Sequence, residues 1–252
     1  MTDNLPQPAK AVILAAGKGT RMKSELPKVA IPINNKPIIS YVIENVLSAG
    51  IKSIIVVVGY KKDQVISICE PYPNISFVEQ TEQLGTGHAL LCCEDRFKNL
   101  DTKVLVACGD APAISASSFR SLLDLHFKEN NSVTVLSAKL EKPTGYGRIL
   151  RDANNHLVEI KEEKDATSDE KTVQEINTGT YVFNSPDVFK QLKRIGNENV
   201  QKEYYLPDLI KIYRSIGGNV NAMQLSNSFE SLGINSVEDL HQISQLIKKD
   251  TI

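Results

Sequence analysis

The 252-residue sequence predicts an α/β protein: a Rossmann-like, mostly parallel sheet flanked by helices, carrying a β-rich insertion. Three observations point there. Short β-branched apolar runs alternate with amphipathic stretches through the first half, and the first run opens into a glycine-bearing, cationic loop. A hydrophobic fraction of 41% supplies enough apolar side chain for a sizeable core.

Taken in order, Ala11, Val12 and Ile13 read as a buried strand. Residues 53–58 (SIIVVV) and 103–107 (KVLVA) are apolar at every second and most other positions, the pattern of strands covered on both faces; residues 75–78 form a shorter one. Between them, residues 37–49 carry apolar side chains at helical spacing, with Pro37 placed as a first-turn proline and Gly50 as the stop. Residues 63–68 and 87–94 read as short helices, and 115–127 as a longer one capped by Ser115. From residue 132 the rhythm changes. Residues 133–138, 148–151, 157–161 and 179–183 are strand-like, with a turn signal at 152–155, and are expected to pack on the sheet edge. Residues 161–174 are polar and read as an exposed loop. Helices are expected again at 186–193 and 206–216, a strand at 219–224, and a last helix at 237–249. No repeat or linker divides the chain, so a single domain spanning 1–252 is expected, with halves at 11–131 and 132–252.

The 29 basic and 30 acidic residues leave a formal net charge of −1, so no global field recruits nucleic acid or an anionic membrane. Cys69, Cys92, Cys93 and Cys108 form no C-x-x-C pair and no zinc spacing, and read as free thiols of a reducing compartment. The N-terminus lacks an apolar signal core and no apolar run approaches the ~20 residues of a membrane span, so a cytoplasmic protein is expected.

The loop after the first strand, LAAGKGTRMKSELPK, sets Gly17 and Gly19 among Lys18, Arg21 and Lys28. Glycine lets backbone N–H groups turn into an anion, and the cations reach phosphates held there. A dinucleotide fingerprint would need glycine where Met22 stands, and a P-loop would need a Gly-Lys-Ser/Thr ending. A tight turn with solvated basic residues is the bland alternative. QLGTGH (83–88) is a second glycine loop that begins a helix, offering Thr86 and backbone donors. Asp110, in ACGDAP, follows a buried strand where a parallel sheet opens to ligands. It suits Mg²⁺, which takes one or two protein oxygens plus phosphates; a turn cap is the competing reading. The strings TGYGR (144–148) and EINTG (175–179) combine glycine with groups able to read sugar hydroxyls and amides, or serve as ordinary turns. GIN (233–235) reads as a helix cap through Asn235 or Ser236. The four histidines pair with no nucleophile, which argues against a hydrolase triad.

LAAGKGTRM with LPK, QLGTGHA, GDAP, PTGYGRI, EINTG and the late GIN follow one another as they do in a known family. Across about residues 11–249 the chain resembles the sugar-1-phosphate nucleotidyltransferases, most closely the uridyltransferase domain of bacterial N-acetylglucosamine-1-phosphate uridyltransferase. The resemblance implies a cytoplasmic enzyme of cell-wall precursor synthesis that joins UTP and N-acetylglucosamine-1-phosphate with Mg²⁺ as cofactor. It implies nucleotide contacts at Leu14, Ala15, Ala16, Gly17, Lys28, Gln80, Gly85 and Thr86, and phosphate-neutralising catalytic roles for Arg21 and Lys28. Asp110 and Asn235 would hold the metal, and Gly147, Glu162, Asn177 and Thr178 the amino sugar. Residues 11–131 become the nucleotide half and 132–252 the sugar half. Partners are small molecules only, the chain being monomeric or weakly homo-oligomeric. Another hexose-1-phosphate such as glucose-1-phosphate, or a non-catalytic nucleotide-sugar sensor, is the alternative. Two departures stand out: Cys108 replaces the family's common aromatic residue, and the hexapeptide-repeat acetyltransferase domain has no counterpart before Ile252. A chain ending there is expected to lack acetyl transfer and trimerisation.

Overall fold

A computed structural model of the chain describes residues 8–19, 24–234 and 236–249. Strand β1 (Ala9–Leu14) enters a nine-stranded sheet, then a small hairpin, β2 (Pro32–Ile33) and β3 (Lys36–Pro37), leads into helix α1 (Ile38–Ser48). Strand β4 (Ile54–Val58), α2 (Lys62–Cys69), β5 (Ile75–Glu79), α3 (Thr86–Leu91), α4 (Glu94–Phe97), β6 (Thr102–Cys108) and α5 (Ala116–Lys128) complete the first half. The second half contributes β7 (Val133–Lys139), β8 (Arg148–Arg151), β9 (Leu157–Lys161), β10 (Glu175–Ser185), α6 (Asp187–Leu192), α7 (Leu209–Ser215), β11 (Val220–Gln224) and α8 (Val237–Lys249).

The sheet order is β11-β7-β10-β6-β1-β4-β5, with the β8–β9 hairpin attached through β10. All neighbours on the main path run parallel except β10, which is antiparallel to both β6 and β7. Helices bury both faces. In β1, Ala11 and Ile13 point to a core shared with α1 and α5, while Val12 points to the opposite core with α3, α6 and α7. All five residues of β4 are buried, which is why its sequence is uniformly apolar.

Several expectations are corrected. Strands β7 and β10 lie inside the sheet rather than on its edge, because Val182, Phe183, Val133 and Val135 are apolar enough to be covered on both faces. β10 spans 11 residues and takes in the EINTG string, with a register shift between Asn177 and Thr180. Pro37 pairs with Pro32 in β3 and precedes the helix, its ψ of 142° being extended. The unforeseen hairpin turns through Asn34 and Asn35, both at positive φ, the conformation asparagine tolerates best after glycine. The helix expected at 87–94 breaks where the Cys93 N–H bonds Leu90 O, tightening the turn. The one expected at 206–216 begins as a 3-10 turn at Leu206–Asp208, around Pro207. A 3-10 turn at Glu170–Thr172 also interrupts the polar run. Ser115 caps α5 by accepting from Ser118 N, as its position implied.

A third, smaller core joins Ile31, Ile33 and Ile38 to Ile234 and Ile243, docking α8 on the β2–β3 hairpin. Ser236 caps α8 in a reciprocal pair with Asp239. No helix among the described residues is long and apolar enough to cross a membrane.

Candidate active site

Two cavities adjoin at the carboxyl ends of β1 and β6, of about 340 and 180 Å³, and share Leu14, Thr86 and Cys108 as a common wall. This is where an open parallel sheet presents its loops to ligands. The larger cavity brings together Leu14, Ala15, Ala16, Gly17, Lys28, Gln80, Gly85, Thr86 and Asp110. Gly147, Glu162, Asn177 and Thr178 line the smaller one. Arg21 and Asn235 lie outside the described residues.

The first loop is pinned along its backbone. Ala15 N donates to Val57 O at 2.9 Å, Gly109 N to Leu14 O at 2.9 Å, and Tyr60 N to Ala16 O at 3.1 Å. The Gln83 amide adds a 3.0 Å bond to Ala16 O, tying the two glycine loops together. Gly19 has φ +63°, and a Cβ there would stand 2.5 Å from Lys28 Cβ, so the loop crosses directly over the lysine stem. Lys28 Nζ reaches Asp110 Oδ2 at 2.5 Å. Outside the cavity, Lys18 stacks over the Tyr60 ring at 5.4 Å, while Lys61, also against that ring, donates to the Glu25 carbonyl.

Gln80 is buried just past β5, where its amide nitrogen bonds Gly85 O at 3.0 Å and contacts His88 Nδ1 at 3.0 Å. Its carbonyl oxygen has no hydrogen-bond partner among the described residues. Gly85, at φ +105°, would drive a Cβ to 2.7 Å from Tyr204 O, so the loop closes on the chain leading to α7. The Thr86 hydroxyl accepts from Leu206 N at 3.1 Å, locking that same junction.

In the smaller cavity Asn177 is held on three sides. Its N–H donates to Gly147 O at 2.9 Å, its Oδ1 accepts from Gly179 N at 2.9 Å, and its Nδ2 donates to the Tyr181 hydroxyl at 2.7 Å. The Thr178 hydroxyl turns away into the sheet and donates to Leu136 O at 2.8 Å. The Glu162 backbone carbonyl accepts from Asp165 N at 3.0 Å, but its carboxylate has no hydrogen-bond partner among the described residues. Burial pushes its carboxyl up to about 7, with the carboxylates of Asp208, Asp165 and Glu203 adding to the shift and Arg148 opposing it. Cys108 contacts Gly179 O at 3.5 Å, and burial raises its thiol to about 12, so it is an inert wall rather than a nucleophile.

The C-terminal segment closes over this end of the site. Ile234 N donates to Asp110 O at 3.1 Å and Gly233 N to the Tyr146 hydroxyl at 3.3 Å. No group of three or more His, Cys, Asp or Glu among the described residues could hold a metal alone. The donor set still fits a hard cation: the Asp110 carboxylate opens into the cavity with one oxygen beyond the Lys28 pair, beside a loop suited to phosphate oxygens.

Sequence reasoning missed several wall residues, among them Gln83, Glu203 and Pro207. Gln83 opens the QLGTGH string but carried no role there. Glu203 and Pro207 arrive from the α6–α7 connection, far along the chain, and no local pattern marked them.

The nucleotidyl transferase family model matches residues 10–248. Over 239 residues the chain is 44% identical to the bifunctional protein GlmU of Syntrophotalea carbinolica, covering 95% of this chain and 51% of that protein. GlmU of Lactococcus lactis subsp. lactis gives 44% identity with 95% and 52% covered, so the chain spans about half the length of these curated relatives. Among solved structures, a UDP-glucose pyrophosphorylase complexed with UDP-glucose superposes with a TM-score of 0.76 at 22% identity, covering 96% of this chain and 99% of that one. A putative glucose-1-phosphate thymidylyltransferase from Bacillus anthracis gives 0.74 at 20% identity, with 94% of each chain covered. At these identities the likeness concerns the fold, which the two structures share with this chain. The match over nearly its whole described length places this chain in the nucleotidyl transferase family.

Proposed function

We propose that the chain transfers the uridylyl group of UTP to N-acetylglucosamine-1-phosphate, yielding UDP-N-acetylglucosamine and pyrophosphate. The observation that carries the reading is the pair of unequal cavities sharing one wall at Leu14, Thr86 and Cys108. A nucleotide in the larger and a sugar in the smaller bring their phosphates together at that wall. The QLGTGHA, PTGYGRI and EINTG strings, all of which reach these cavities, favour the acetylated amino sugar.

An oxygen of the sugar phosphate attacks the α-phosphorus of UTP, forming a new P–O bond as the α–β bridging bond breaks and its electrons leave with pyrophosphate. The nucleophile is already anionic, so no side chain need remove a proton; positioning and charge stabilisation remain. The pinned backbone of residues 14–17 fixes the nucleotide end. The Gln80 carbonyl oxygen and the Gly85–Thr86 backbone suit the imide edge of uracil. Lys28 supplies positive charge to the departing phosphates, and Arg21 is proposed to do the same. Asn177 and Glu162 offer donors and acceptors to the sugar. Asp110, with Asn235, would hold Mg²⁺, which when bound supplies charge neutralisation to the phosphate oxygens.

Pyrophosphate release from UTP with and without N-acetylglucosamine-1-phosphate tests the reading. Release that depends on this sugar phosphate, with a kcat/KM above that for glucose-1-phosphate or glucosamine-1-phosphate, is expected. Release no greater than in its absence contradicts it.

A further inference from the structure

Arg148 is the largest fully buried side chain of the described residues, 2% exposed, and it lines neither cavity. Burying a guanidinium is costly unless its donors are met. One nitrogen, Nη1, donates to the Tyr146 carbonyl; the other, Nη2, reaches Glu163 Oε2 at 2.6 Å. Nε has no partner, so nearly all of the compensation comes through these two contacts.

The chain positions of the partners give the pair its meaning. Arg148 directly follows Gly147, and Glu163 directly follows Glu162, two neighbouring residues of the smaller cavity's wall. Gly147 and Glu162 are so close that a Cβ on the glycine would lie 3.1 Å from Glu162 Oε1. The backbone of Arg148 is paired on both sides, with Lys161 of β9 and Ile176 of β10. Next along, Asn177 N holds Gly147 O. Tyr146, whose carbonyl Arg148 grips, receives the Gly233 N–H through its hydroxyl, in the segment that also bonds Asp110.

We infer that Arg148, through its ion pair with Glu163, is a positioning residue that sets the Gly147–Glu162 gap and so the fit of the sugar phosphate. It does not touch substrate. The inference rests on the proposed placing of the sugar in the smaller cavity. The direct partners of Arg148 lie on the sugar side, and it reaches Asp110 of the nucleotide cavity only through the Tyr146–Gly233 link, so weakening the pair acts mainly on the sugar substrate.

The test compares KM for each substrate in wild type, Arg148→Lys, Glu163→Ala and Glu163→Gln. Lysine keeps the charge but cannot span both partners. Alanine leaves the guanidinium unpaired, and glutamine restores an acceptor oxygen. For R148K and E163A, KM for the sugar phosphate is expected to rise roughly tenfold, the scale of one lost charge-assisted hydrogen bond, while KM for UTP stays within about twofold. E163Q is expected to recover most of the loss. Equal rises in both KM values, no rise in either, or no rescue by glutamine overturns the inference. Glu163 is partly exposed, so its two variants decide the matter if R148K does not fold. Wild type inactive with any sugar phosphate would refute the functional reading instead, a separate outcome.

Discussion

Glu162→Gln should make the protein more stable at high pH and leave its relative stability near pH 4.5 unchanged. Partial burial, with the neighbouring carboxylates, pushes the Glu162 carboxyl from the ordinary 4.5 up to about 7. Folding therefore tightens its hold on a proton, and as pH rises from 4.5 through 7 the folded state loses stability relative to the unfolded chain. The gap corresponds to about 3 kcal/mol at full development. Glutamine carries no charge, so the penalty vanishes. For a chain of this size that is a gain in melting temperature on the order of 5–10 °C at pH 8.5. The measurement is the difference in melting temperature between variant and wild type at pH 4.5 and pH 8.5, which cancels every pH-independent effect of the substitution. A difference that is the same at both values refutes the reasoning, since it would mean that Glu162 titrates normally. The same variant should weaken sugar-phosphate binding, so the stability gained and the affinity lost would share one cause.

Other substitutions probe the remaining walls. Asp110→Ala removes the carboxylate that pairs with Lys28 beside the first glycine loop, and turnover should fall about 10²–10³-fold while the fold persists, read by steady-state kinetics and circular dichroism. Gly85→Ala forces φ +105° on a residue with a Cβ and sets that atom 2.7 Å from Tyr204 O; a loss of about 3 kcal/mol and a raised KM for UTP should follow. Phe183→Ala, which removes a buried ring stacked on Tyr181 and Tyr213, should cost about 3–5 kcal/mol in denaturant unfolding without shifting KM for UTP. Thiols raised to about 12 at Cys69, Cys93 and Cys108 should resist iodoacetamide at pH 8 in the folded chain and react in denaturant, as read by mass spectrometry.

Much of the fold was legible in the sequence because its signals are local. The uniformly apolar 53–58 run, the helical spacing of 115–127 with its serine cap, and the Asp-Asn turn at 152–155 each depend on neighbours in the chain. What local pattern could not reveal was set by contacts far apart in sequence. Nothing in EINTG says that Glu175, Ile176 and Asn177 will pair with Lys139, Ala138 and Ser137 of β7, which is what extends β10 past the bulge. The Asn34–Asn35 turn was visible as residues but its flanking strands have two residues each, too few to register as a period. Of the residues that line the two cavities, Gly17, Lys28 and Thr86 were legible because glycine, charge and a hydroxyl at a strand end have a direct chemical meaning, whereas Gln80 and Glu162 were reached only through the family resemblance. Arg148 escaped because a buried arginine looks like any surface arginine until its partners are placed. Thr178 shows the converse: a hydroxyl that sequence offers to a ligand is spent on the sheet at Leu136.

The most direct measurement is a crystal structure with UDP-N-acetylglucosamine and Mg²⁺. The account predicts the uracil against Gln80 and the Gly85–Thr86 turn, the diphosphate at the Leu14–Cys108 wall near Lys28, and the acetylated sugar among Gly147, Glu162 and Asn177. A sugar bound outside that smaller cavity, with the uridine still in the larger one, would contradict it.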